Sequence, residues 1–216
     1  MKVLVAAFDP YGGQSINAAA EAVRLLPERV LNAELVRVEI PTVFAKSLEV
    51  LYASMDREQP EIILGVGQAG RRTGISVERV AINVDDARIE DNEGNQPEDK
   101  PIFKDGPAAY FSGLPIKDMV AEITAHGLPA SVSNTAGTFV CNHLMYGLLH
   151  RIETRNLKVQ GGFMHVPYTH KQALDKVGAP SMTVGDIAKG LELAIQAAVR
   201  RAARQDACIA PECGED

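Results

Sequence analysis

The residues best suited to chemistry begin in GTFVCNHLMYGLLH, residues 137–150, where one cysteine, Cys141, has two histidines close by, His143 and His150. Gly137 and Thr138 are breaker and cap types. From Phe139 on, Val140, Leu144 and Leu148, with Met145 and Leu149 beside them, recur at helical spacing. Thr138 is the expected N-cap, which puts Cys141 in the first turn, where free backbone N–H groups and the helix dipole favour an anion. The expected consequence is a thiol pKa below the usual value of about 8.5. Residues two apart on a helix point to nearly opposite sides, so His143 cannot serve this thiol, and His150 also falls roughly opposite. A base must come from elsewhere in the chain. The other reading of this segment is a small apolar thiol packed beneath a helix.

GGFMHVPY, residues 161–168, places His165 at a strand end before Pro167, and strand ends at one edge of an open α/β sheet are where sites form. His126 is explained as a helix C-terminal cation, and His170 lies in a loop. His165 is therefore the histidine best placed to meet Cys141. Glu78 sits inside the alternating run ISVERVAIN, where a charge is costly unless it is paired. It either orients an imidazole or makes a salt bridge to a neighbouring arginine. A Cys, a His and an acid drawn from three separate elements have the form of an activated thiol nucleophile. FDPYGG brings Phe8 and Tyr11 to the end of the first strand. Aromatics beside a flexible turn can wall a small apolar pocket; they can equally be core aromatics at an ordinary turn.

Two motifs point elsewhere and fail. GVGQAG, residues 65–70, fits the dinucleotide pattern G-x-G-x-x-G, but RRTGISVERVAIN follows it where a helix should begin. A glycine-rich turn that brings Gln68 to a pocket fits better. The segment 85–99 holds seven carboxylates against the single cation Arg88. Counting back from Gly94, a calcium loop would need a ligand type at Ile89, and apolar Ile89 breaks the pattern. Most of these carboxylates read as a solvated loop, with Arg88 the exception as a lone cation among anions.

The elements that must position these groups alternate between strand-like and helical runs. KVLVAAF, residues 33–38, EIILGV, ISVERVAIN, and residues 130–133 and 162–165 read as strands. Residues 17–26, 42–58, 115–126 and 183–204 read as helices, alongside the one that carries Cys141. The alternation implies a three-layer α/β/α sandwich around a mostly parallel, mixed, twisted sheet. At 216 residues the chain suits one domain, expected over 1–204, with a disordered acidic tail at 205–216 that contains Cys208 and Cys213. Net charge is −6, from 22 Lys and Arg against 28 Asp and Glu, which argues against nucleic acid. No apolar run approaches a membrane span, the N-terminus is too short in apolar residues for a signal peptide, and three scattered cysteines make no disulfide framework. A cytoplasmic protein is expected.

Taken together, FDPYGG, GVGQAG, ISVERVAIN, DDARIEDNEGNQP, GPAAYFSGLPI, SNTAGTFVCNHLMYGLLH and GGFMHVPY resemble, in order and over most of residues 1–170, the pyroglutamyl peptidase type I family, also called pyrrolidone carboxyl peptidases. The resemblance implies removal of an N-terminal pyroglutamyl residue from peptides through a cysteine nucleophile and a thioester. It assigns the nucleophile to Cys141, the base to His165, the acid to Glu78 and an oxyanion contact to Arg88. It implies a ring pocket of Phe8, Tyr11, Thr42, Gln68, Ile89, Phe139 and Val140, with no metal or cofactor, and a homotetramer. Two departures stand out: Tyr11 where the family has Phe, and Arg71 where it has Gly. The rival from another class is a non-catalytic lactam- or peptide-binding protein on the same scaffold.

Overall fold

Strand β1 (Lys2–Phe8) is apolar after Lys2 because it lies inside a sheet covered on both faces. Its side chains alternate between two cores. Val3, Val5 and Ala7 enter one with α1, α3 and α6; Leu4, Ala6 and Phe8 enter the other with α2 and α4. In this computed structural model, which describes residues 1–209, those helices are α1 (Ala18–Arg24), α2 (Lys46–Glu58), α3 (Ile116–Ala125), α4 (Val140–Thr154) and α6 (Val184–Ile209), with a short α5 (His170–Ala173). The remaining strands are β2 (Arg29–Val30), β3 (Ala33–Ile40), β4 (Ile62–Gln68), β5 (Ile75–Glu78), β6 (Val80–Ile82), β7 (Ala109–Phe111), β8 (Ala130–Ser133), β9 (Gln160–Val166), β10 (Tyr168–Thr169) and β11 (Ser181–Met182).

Seven strands form the main sheet in the order β2-β3-β1-β4-β9-β5-β8. β3, β1, β4 and β9 run parallel; β5 is antiparallel to β9 and parallel to β8, and β2 is an antiparallel edge hairpin on β3. The expected mixed, mostly parallel α/β sandwich is the observed one. Two ribbons, β6–β7 and β10–β11, lie outside this sheet. Among the described residues no helix is long and apolar enough to cross a membrane.

Four local expectations change. ISVERVAIN is not one strand: β5 ends at Glu78, and β6 leaves the main sheet to pair with β7. The helix expected from residue 42 begins at Lys46, because Thr42 is tied to Asp9 and the Phe44 N–H donates to Asp91 Oδ2 at 2.9 Å. Thr138 does not cap α4. Its hydroxyl donates to the Asp86 carbonyl at 2.8 Å, and the N-cap is Phe139, which offers no side-chain acceptor. The last helix runs to Ile209; the rest of the expected acidic tail, 210–216 with Cys213, lies outside the described residues.

Candidate active site

The three expected groups come from three elements whose geometry the sheet fixes. On β9, His165 pairs with Gly67 of β4 on one side and Ser76 of β5 on the other. Glu78 is two residues beyond Ser76 and so on the same face of the sheet, a diagonal neighbour of His165. Its Oε1 lies 2.7 Å from His165 Nδ1. Cys141 is the second residue of α4, which packs on that face. Gly67 is what lets the thiol in: a Cβ there would sit 2.8 Å from Cys141 Sγ and 2.9 Å from the Phe163 ring. The other two glycines of GVGQAG have steric roles too, since side chains on Gly65 and Gly70 would overlap the rings of Phe163 and Tyr168. No helix follows the motif, only a turn closed by the Arg72 N–H on the Ala69 carbonyl at 3.0 Å.

A cavity of about 270 Å³ opens here, lined by Tyr11, Gln68, Arg88, Phe139, Cys141 and His165, with Asp86, Ile89, Ala136 and Thr138 completing it. Tyr11 leans on Phe139 with centroids 6.0 Å apart, and Phe139 meets the edge of Phe44. Gln68 Oε1 is held by the Ala18 N–H at 2.8 Å and by Gln172 Nε2 at 2.7 Å, so the orientation of its amide is fixed. Asp86 and Arg88 are exposed at the rim, and Arg88 has no hydrogen-bond or ion-pair partner among the described residues. Three residues of the expected ring pocket lie elsewhere. Phe8 and Val140 are buried in the core behind the cavity, and Thr42 clasps Asp9, whose carboxylate also takes Asn92.

The electrostatics overturn one expectation. Burial, reinforced by the Glu78 charge, pushes the Cys141 thiol up to about 12; Arg72 and the helix-start N–H oppose this but do not prevail. The dipole argument was local, whereas the opposing carboxylate comes from a strand 63 residues earlier in the chain. Burial also holds the His165 pKa below its ordinary value, against the pull of Glu78. Burial pushes Glu78 up, but its interaction with His165, the Ser133 hydroxyl and the Arg72 charge together hold it below the ordinary carboxylate value. At neutral pH these directions favour an uncharged thiol and imidazole beside an ionised carboxylate, with Cys141 itself half-buried at the cavity. Since Nδ1 donates to Glu78, His165 Nε2 carries the lone pair; it has no hydrogen-bond partner among the described residues, Cys141 included.

The other histidines are spent on structure. His143 Nδ1 is 2.8 Å from Asp85 Oδ2 and its Nε2 accepts from the Ala45 N–H; His150 stacks on Phe103 and meets the Tyr110 hydroxyl; His126 and His170 make exposed local bonds. The acidic loop holds a surprise in Asp91, which is buried and accepts from the N–H groups of Phe44, Glu93 and Asn95, so it organises the loop from inside. Among the described residues no group of three His, Cys, Asp or Glu could hold a metal. Sequence reasoning missed Asn142, whose fully buried side chain clips α4 to β6 through the Ile82 N–H and the carbonyls of Ile82 and Val84. It also missed Arg72. Arg71, the departure beside it, is exposed in the turn and its backbone is not left-handed, so no glycine is needed there.

Known proteins resemble this chain in sequence and in fold. The sequence model of the pyroglutamyl peptidase family matches residues 1–201. A pyrrolidone-carboxylate peptidase of Clostridium perfringens is 56% identical over 199 residues, covering 92% of this chain and 93% of its own. The crystal structure of Bacillus amyloliquefaciens pyroglutamyl peptidase I superposes with a TM-score of 0.89 at 50% identity, over 92% of this chain and 97% of that one. A mutant pyrrolidone carboxyl peptidase from Pyrococcus furiosus gives 0.90 at 40% identity, over 94% and 100%. With nearly the whole length of each chain matched, this chain belongs to the pyroglutamyl peptidase family.

Proposed function

We propose that the chain is a cysteine peptidase that removes the N-terminal pyroglutamyl residue from peptides through a thioester, with Cys141 as nucleophile, His165 as base and Glu78 orienting the imidazole. The observation that carries this reading is the buried Glu78 carboxylate 2.7 Å from His165 Nδ1, while the ring's other nitrogen has no partner among the described residues and lies in the cavity that holds Cys141. The raised thiol pKa fits a nucleophile made on demand. A lone thiolate beside Glu78 is disfavoured, but moving the Sγ proton to His165 Nε2 creates an imidazolium that neutralises the thiolate and is itself stabilised by Glu78.

Sγ attacks the pyroglutamyl carbonyl carbon as its proton passes to Nε2. The oxyanion meets Arg88 and the first-turn N–H groups of α4, which Phe139 leaves without a side-chain cap. The C–N bond breaks, the leaving amine takes the proton from Nε2, and the shortened peptide departs. Water then gives a proton to Nε2 and its oxygen attacks the thioester. As the C–S bond breaks, that proton returns to sulfur. The ring of a pyroglutamyl residue is neutral and small, and a cavity of about 270 Å³ walled by Tyr11 and Phe139, with the Gln68 amide fixed beside it, suits such a lactam. The homotetramer and the cytoplasmic location belong to the same reading by family resemblance, and light scattering and cell fractionation test them.

Hydrolysis of a chromogenic pyroglutamyl amide is the direct test. We expect kcat/KM on the uncyclised glutaminyl amide to be lower by at least about a hundredfold, because its ammonium would be buried among aromatic walls without a partner. Comparable values on the two amides would contradict the pocket assignment.

A further inference from the structure

Arg72 has no part in the bond-making steps, yet it grips both halves of the site. It lies in the turn after β4 with its side chain 26% exposed, and Nη1 sits 2.5 Å from Glu78 Oε1, the same oxygen that accepts from His165 Nδ1. Nη2 donates to the Thr135 carbonyl at 3.0 Å, in the loop that runs through Ala136 of the cavity wall into the helix bearing Cys141. Glu78 is 0% exposed, and its Oε2 is buried without a hydrogen-bond partner among the described residues. Both nitrogen donors therefore meet one oxygen of a fully buried carboxylate, the nearby Ser133 hydroxyl adds a weaker pull while donating to the Thr135 carbonyl, and among the described residues the guanidinium is the permanent positive charge bonded to the acid.

A buried carboxylate that loses its cation either stays as an uncompensated charge or takes up a proton. In the protonated form it can no longer stabilise an imidazolium. The fork geometry adds a second constraint, since a planar guanidinium bonded at both ends fixes the acid relative to the loop that presents the thiol. The ionisable groups facing Glu78 are His165 from β9, Cys141 from α4 and Arg72 itself; Arg79, the next residue along the chain, turns away to Asn134.

We propose that Arg72 is a positioning residue for the reaction: it keeps Glu78 ionised and aimed at His165 Nδ1, and it couples that carboxylate to the loop that delivers Cys141. The proposal rests on the cysteine–histidine–glutamate reading above. A salt bridge that serves only stability would share the contact with Glu78 but leave the pH profile of the reaction untouched.

The experiment measures kcat, KM and the pH profile of kcat/KM on a pyroglutamyl amide for the full chain, Arg72→Met, Arg72→Lys and Cys141→Ser. For Arg72→Met we expect kcat to fall at least about tenfold with KM within about threefold. Its acid limb should move to higher pH by at least about half a unit, because loss of the cation raises the proton affinity of Glu78 and of His165 alike. Arg72→Lys should restore the limb, since it keeps the charge, and should recover only part of kcat, since an ammonium cannot span both partners. An Arg72→Met protein with the wild-type limb and kcat overturns the proposal whatever its melting temperature. If Arg72→Met does not fold, Arg72→Lys decides: a reduced kcat supports the fork, and a wild-type kcat overturns it. A wild-type chain inactive on the amide, or a fully active Cys141→Ser, would instead defeat the underlying peptidase reading.

Discussion

In Glu78–His165 and in Asp85–His143 a buried carboxylate oxygen accepts from Nδ1 of a buried imidazole, at 2.7 and 2.8 Å, and in both the second carboxylate oxygen is buried without a hydrogen-bond partner among the described residues. The two pairs differ at the far nitrogen. His143 Nε2 accepts the N–H of Ala45, a residue at φ 59 that leads into α2, so both ring nitrogens are spent on the backbone and its neighbour. His165 Nε2 is left facing the cavity that holds Cys141. A buried acid–imidazole pair is thus not by itself a catalytic device; under the proposed function the difference lies in the second nitrogen, which the fold uses in one pair and leaves for a substrate in the other.

The comparison breaks first at the nucleophile. Cys141→Ser should keep the melting temperature and lose about 10²–10⁴-fold in turnover, because a hydroxyl with the same base is a far weaker nucleophile. Turnover within about tenfold of wild type would remove the chemical reason to distinguish the two histidines. Gly67→Ala presses on the thiol and on Phe163, since the new Cβ would lie 2.8 Å from Sγ and 2.9 Å from that ring. It should cost about 1–3 kcal/mol by overpacking, together with a loss of kcat; a wild-type kcat would show that the position of Sγ over β4 is not critical.

The smallest effect is on stability against pH. His165 in the fold binds its proton below the ordinary 6.5, so the unfolded chain holds more protons as pH drops through 6.5, and stability falls on that side. Glu78, depressed below 4.5, adds a further loss as pH falls through its folded value. Cys141 acts on the other side: the unfolded thiol ionises near 9.0 and the folded one near 12, so stability declines as pH rises between them. Thermal melts from pH 8 to 11 should therefore decline less steeply in Cys141→Ser than in wild type. Parallel declines would argue against the raised thiol pKa.

What the sequence made legible follows from how each residue stands against its neighbours. Cys141, His165 and Glu78 each break a local pattern: a thiol at a helix start, a histidine at a strand end, an acid in an apolar run. The alternation of strands and helices gave the sandwich for the same reason. Arg72 could not be picked out, because it stands beside Arg71 in a turn and nothing local says which of the two points inward. Asp91 was hidden among six other carboxylates. The direction of the Cys141 shift failed because a helix dipole is local, while burial and Glu78 are products of tertiary packing.

Glu78→Gln measured beside Asp85→Asn tests most directly the proposed division of these two similar pairs between chemistry and architecture. Each change neutralises one carboxylate with little change of shape, and each preparation is followed by thermal unfolding and by single-turnover acylation on a pyroglutamyl amide. Glu78→Gln should slow acylation by at least about a hundredfold, having lost the charge that stabilises the imidazolium. Asp85→Asn should lose about 1–3 kcal/mol of stability and acylate within about threefold of wild type. Equal losses of rate in the two variants, or a Glu78→Gln enzyme that melts early yet acylates normally, would contradict the account.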